Sequence, residues 1–116
     1  MTKVKIYHNP RCSKSRETLK LLEAEDLDVD VIEYLQNPPT QAQLKKILKF
    51  LALTPRELMR RKEAEYKEMK LDNPKLTENE LIKAMIKSPK LIERPIVVVD
   101  DKVAIGRPPE NVFDVL

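Results

Sequence analysis

The sequence predicts an α/β fold built on a mixed sheet, and three observations point there. An alternating strand pattern opens the chain and runs into helical spacing, capped helical segments fill the middle, and a continuous β-branched run stands near the end. The length, 116 residues, suits one hydrophobic core and is too short for two independent ones. The expectation is therefore a single domain over 1–116 with a helical insertion at about 38–92.

Taken in order, Lys3 to His8 alternates, with Val4, Ile6 and His8 on one face and Lys3, Lys5 and Tyr7 on the other, as a short strand does. Asn9-Pro10 breaks it. Ser13 can cap a helix in which Ser15, Leu19 and Leu22 share a face, so Cys12 lies just before a helix N-terminus. Asp28 to Tyr34 reads as a second strand, parallel to the first because a helix connects them in a βαβ unit. After Asn37-Pro38-Pro39, Thr40 begins a helix carrying Leu44, Ile47, Leu48 and Leu51, and Thr54-Pro55 starts a third helix with Leu58 inward and Arg60 and Arg61 along it. Thr77-Glu78-Asn79-Glu80 has capping-box form and opens a helix that Ser88-Pro89 stops. Ile96 to Val99 has the pattern of a strand covered on both faces, Lys102 to Ile105 returns as a hairpin after Asp100-Asp101, and Pro108 to Leu116 closes with a short helix. This order, βα, β, helices, then ββα, resembles a thioredoxin-like (glutaredoxin-like) core with helices between its halves.

Composition narrows the function. Charged residues make up 35% and apolar residues 41%, and no apolar run reaches membrane-spanning length. The N-terminal residues have no signal-peptide pattern, so a cytoplasmic protein is expected. The net charge of +3 comes from 22 basic and 19 acidic residues, interspersed without the basic block of a nucleic-acid arm. One glycine, Gly106, is too few for a Walker loop or a dinucleotide fingerprint, so a bound nucleotide is not expected. One cysteine excludes an internal disulfide and any cysteine-only metal site, leaving Cys12 as either a buried apolar thiol or a reactive one.

Position favours the reactive reading. Unpaired N–H groups and the positive end of a helix dipole stabilise a thiolate, and Arg11, Lys14 and Arg16 add positive charge nearby. Ser15 can donate a hydroxyl hydrogen bond to the sulfur. Ser15 also stands where a Cys-x-x-Cys pair has its second cysteine, so a second thiol must come from another molecule. His8 is either a cation supporting the thiolate or a strand residue with a partly buried ring. Arg94 precedes Pro95 at the mouth of the buried strand, a place where a cis peptide is plausible, and Arg107-Pro108 follows the last strand similarly. Arg60 reads by itself as part of an exposed charged face.

His8-Asn9-Pro10-Arg11-Cys12-Ser13-Lys14-Ser15-Arg16, Arg56-Glu57-Leu58-Met59-Arg60, Leu91-Ile92-Glu93-Arg94-Pro95-Ile96-Val97-Val98 and Ile105-Gly106-Arg107-Pro108 together resemble the motifs of the ArsC family, in its order and spacing. The resemblance implies glutaredoxin-dependent reduction of arsenate to arsenite, with Cys12 as nucleophile, His8 and Ser15 favouring its thiolate, and Arg60, Arg94 and Arg107 binding the oxyanion. It implies glutathione as cosubstrate, glutaredoxin as partner, and no metal or tightly bound cofactor. A glutathione-dependent thiol oxidoreductase with another substrate is the alternative. A neighbouring branch of the same fold contains regulators that bind RNA polymerase, which typically keep the second cysteine that Ser15 replaces here.

Overall fold

In the computed structural model, which describes residues 2–116, strand β1 (Thr2–His8) pairs in parallel with β2 (Leu27–Glu33), Val4 opposite Val29 and His8 opposite Glu33. Helix α1 (Ser13–Glu23) makes the crossover between them, as a parallel pair requires. Strand β3 (Ile96–Val99) runs antiparallel to β1, and β4 (Lys102–Ile105) antiparallel to β3, giving the order β2-β1-β3-β4. This is the thioredoxin-like fold expected from the element order.

Contacts divide the chain into two compact units, and the sheet belongs to the first: the chain up to Asn37 together with Arg94–Leu116. Its core holds Val4 and Ile6 of β1, Leu22 of α1, Val97 and Val99 of β3, Ala104 of β4, and Val112 and Val115 of the closing 3-10 helix Pro109–Val115. The alternation in β1 is less clean than its sequence suggests, because Tyr7, on the face opposite Val4 and Ile6, is also buried. With its one glycine used elsewhere, the β3–β4 turn places Asp100 in the left-handed region at φ 54°, which aspartate tolerates better than most residues.

The second unit, Pro38–Glu93, is helical. It contains α2 (Gln41–Leu51), α3 (Pro55–Leu58), α4 (Ala64–Glu68), α5 (Glu78–Lys87) and a 3-10 turn, Pro89–Leu91. Thr40, Thr54 and Thr77 each cap a helix and form complete capping boxes with Gln43, Glu57 and Glu80. Buried Leu44, Ile47 and Leu48 of α2 and Leu58 of α3 face α5, which buries Leu81, Ile82 and Met85. The third helix is shorter than its sequence implies. It ends at Leu58, because Met59 forms an antiparallel bridge with Ile92 and the Arg60 N–H donates to the Leu91 carbonyl at 2.7 Å. Arg60 and Arg61 therefore lie off the helix. No helix among the described residues is long and apolar enough to cross a membrane.

Candidate active site

The site is assembled where β1 ends and α1 begins. Asn9 builds the connecting loop with three hydrogen bonds. Its carbonyl accepts the Cys12 N–H at 3.0 Å, its Oδ1 accepts the Arg11 N–H at 3.0 Å, and its own N–H donates to Ser15 Oγ at 3.0 Å. Cys12 consequently becomes the N-cap of α1, with extended backbone (φ −94°, ψ 122°), and Ser13 is the first helical residue rather than the cap. The thiol is 9% exposed, so it is shielded yet reachable.

Burial by itself would push the Cys12 thiol up, but other contacts outweigh it. The Ser15 backbone N–H donates to the sulfur, the Arg94 side chain hydrogen-bonds to it and acts on it by charge, and Arg107 adds a further positive field. The net result is a thiol below its ordinary range. Arg107 Nη2 stands 3.5 Å from Sγ, while its Nε donates to the Arg94 carbonyl at 2.7 Å and its carbonyl accepts from Asn111 Nδ2 at 3.0 Å. Arg94 also meets the fully buried Tyr34 at the end of β2. The Arg94-Pro95 and Arg107-Pro108 peptides are both cis.

His8, Cys12, Ser15, Arg94 and Arg107 all lie in the first unit and are brought together there, but two of them act differently from expectation. The Ser15 hydroxyl is not on the sulfur: it is 2.6 Å from His8 Nδ1 and accepts the Asn9 N–H, leaving the backbone N–H to serve the thiol. His8 is buried, and desolvation holds its pKa down despite the upward pull of Glu33 and Glu23, with Arg16 adding to the depression. Near neutral pH its ring is uncharged and is not the cation beside the thiolate. The local cations differ too. Lys14 pairs loosely with Glu17 at 3.8 Å, Arg16 donates to the Pro10 carbonyl at 3.0 Å and Arg11 is exposed, so the charges acting on sulfur come from Arg94 and Arg107. Arg60 belongs to the second unit, where Nη1 meets Glu93 at 2.8 Å and Nε meets Glu63 at 3.3 Å.

Sequence reasoning did not single out Asn9 or Tyr34 for this site. Asn9 carried a signal, since asparagine before a strand-breaking proline readily accepts from the backbone two residues on. Tyr34 carried none beyond its place at a strand end. Among the described residues no group of three or more His, Cys, Asp and Glu side chains could hold a metal ion.

A cysteine at a helix N-cap with two arginines on its sulfur is one chemical pattern, and comparison with known proteins gives it a family. The ArsC family model matches residues 7–115. The chain belongs to the ArsC family. Its relatives include an arsenate reductase of Neisseria meningitidis serogroup A, 48% identical with both chains covered in full. The uncharacterized protein YfgD of Escherichia coli K12 is 54% identical over all of this chain and 99% of that one. Among solved structures, an arsenate reductase from Vibrio cholerae superposes with a TM-score of 0.94 at 48% identity, over 99% of this chain and 98% of that one. In ArsC terms, the motifs around Cys12, Arg94 and Arg107 meet at one sulfur.

Proposed function

We propose that this chain is an arsenate reductase that draws its electrons from glutathione and glutaredoxin, with Cys12 as nucleophile. The observation that carries the reading is the sulfur held by the Ser15 N–H, Arg94 and Arg107, a thiol pulled below its ordinary range beside two guanidinium groups. Arsenate near neutral pH is a tetrahedral oxyanion. Guanidinium forks bind such oxygens bidentately and offset the repulsion between an anionic substrate and a thiolate.

In the proposed scheme the Cys12 thiolate displaces one arsenate oxygen, which leaves as water after taking up protons, and forms a covalent arsenic–sulfur bond. Glutathione then displaces a second oxygen in the same way. Glutaredoxin's thiol attacks the glutathione sulfur, the electron pair of the breaking sulfur–arsenic bond stays on arsenic, and As(V) becomes As(III) while a glutathione–glutaredoxin disulfide forms. Hydrolysis releases arsenite and returns the Cys12 thiol. Arg60, held by Glu63 and Glu93, is proposed as a third oxyanion-binding arginine. His8 and Ser15 serve by holding the loop that presents Cys12 and the Ser15 N–H. The scheme needs no metal or tightly bound cofactor.

The test is arsenate-dependent NADPH oxidation in an assay coupled through glutathione, glutaredoxin and glutathione reductase. Turnover is expected in the natural protein, lost in Cys12→Ser and lowered about 100-fold or more in Arg94→Ala, with Arg94→Lys failing to restore it because a point charge lacks the fork. Full activity in Arg94→Ala would refute the oxyanion site. No turnover in the folded natural protein would refute arsenate as substrate.

A further inference from the structure

The two segments carrying Arg94 and Arg107 are tied to each other by their main chains. The Gly106 N–H donates to the Pro95 carbonyl at 2.9 Å, and Arg107 Nε donates to the Arg94 carbonyl at 2.7 Å. Helix α1, which presents Cys12 at its N-cap, presses one side chain onto this paired segment: Thr18, which is fully buried. Its Oγ1 donates to the Lys14 carbonyl at 2.8 Å and lies 3.5 Å from the Gly106 carbonyl.

The fit is too close for any side chain at position 106. A Cβ there would overlap Thr18 Oγ1, come within 2.8 Å of Pro95 Cγ and lie 3.1 Å from Thr18 Cγ2. Gly106 has no positive φ, so a left-handed turn does not explain it. In a chain with one glycine, that glycine stands where Thr18 of α1 and Pro95 leave no room for a Cβ.

We propose that Thr18 and Gly106 are positioning residues that set the spacing between the Cys12 sulfur and the guanidinium groups of Arg94 and Arg107. A helix is stiff along its axis, so a contact made at Thr18 fixes where the N-cap sulfur stands. The Arg107 Nη2 to Sγ separation, 3.5 Å, is a hydrogen-bonding distance for nitrogen to sulfur, and widening the junction weakens both this contact and the charge interaction behind it. The inference rests on reading Cys12 and the arginines as the working site. Its test does not involve arsenate, so the two can fail separately.

The pH dependence of Cys12 alkylation by iodoacetamide reads the thiolate directly. Gly106→Ala is expected to move the profile to higher pH and slow alkylation near neutral pH by about three- to tenfold. Adding Thr18→Ala removes the overlap with Thr18 while Pro95 Cγ still crowds the added Cβ, so the double variant is expected to recover part of the way towards the natural profile. Thr18→Ala alone, which loosens the junction, is expected to shift the profile in the same direction by less, and Thr18→Ser, which keeps Oγ1, is expected to shift it less than Thr18→Ala does. A merely structural contact would lower stability without moving these profiles. A folded Gly106→Ala protein with the natural profile overturns the proposal, as does a double variant with no recovery. Should Gly106→Ala not fold, superimposable profiles for Thr18→Ala and the natural protein overturn it instead. A shifted Gly106→Ala profile in a chain inert towards arsenate would leave this inference standing and remove the substrate assignment alone.

Discussion

Removing the Ser15 hydroxyl separates two roles that the sequence alone merges. Ser15 is fully buried, and its Oγ joins the Asn9 N–H at 3.0 Å to His8 Nδ1 at 2.6 Å, with His8 and Asn9 themselves buried. The hydroxyl accepts from the Asn9 N–H and, with His8 in its Nε2–H tautomer, donates to Nδ1. Ser15→Ala strands both partners, and a buried polar group left unpaired costs about 1–3 kcal/mol. The expected loss of folding stability is thus about 2–6 kcal/mol, a large share of the roughly 5–15 kcal/mol typical of a domain. With a urea slope of about 1–2 kcal/mol per molar, the unfolding midpoint should fall by roughly 1–6 M. The thiol should respond less, because the bond from Ser15 to the sulfur comes from the main chain, which alanine keeps. Urea unfolding and the pH profile of Cys12 alkylation, measured on the same variant, decide the matter. An unchanged midpoint, or a profile moved as far as in Arg94→Ala, would refute this account of the loop.

Two further outcomes are expected. Burial holds the His8 pKa below its unfolded value of about 6.5, so on acidification the unfolded chain takes up this proton first, and the stability owed to neutral His8 is lost as pH falls through that value. The urea midpoint should therefore drop further between about pH 7.5 and about pH 5.5 in the natural protein than in His8→Gln, and equal drops would refute the assignment. The Arg60–Glu93 pair, with side chains 25% and 27% exposed, should show a coupling of about 1 kcal/mol or less in a double-mutant cycle of Arg60→Ala and Glu93→Ala, and a value above about 3 kcal/mol would contradict its partly solvated character.

Much of the architecture was legible because its causes are local. Thr40, Thr54 and Thr77 cap helices through residues three positions on, so the signal and the structure lie within one turn. The parallel β1–β2 pair followed from a helical crossover, and the hairpin from the β-branched run Ile96–Val99 followed by an aspartate turn and the returning Lys102–Ile105. Helix α4 was not singled out, since Ala64–Glu68 buries no residue and has no apolar stripe to read. Arg60 was misplaced onto a helix because the contacts that end α3, to Leu91 and Ile92, come from about thirty residues further along and leave no local mark.

The candidate site divides along the same line. By itself the sequence determined that the lone cysteine sits at a helix start between a strand and a helix, because breakers, caps and periodicity act over a few residues. Only the tertiary structure decided which charges reach that sulfur. Of the residues adjacent in sequence, Arg11 is exposed and Lys14 and Arg16 meet other partners, while Arg94 and Arg107 arrive from the far end of the chain, since an electric field depends on separation in space and a fold is what converts one kind of nearness into the other.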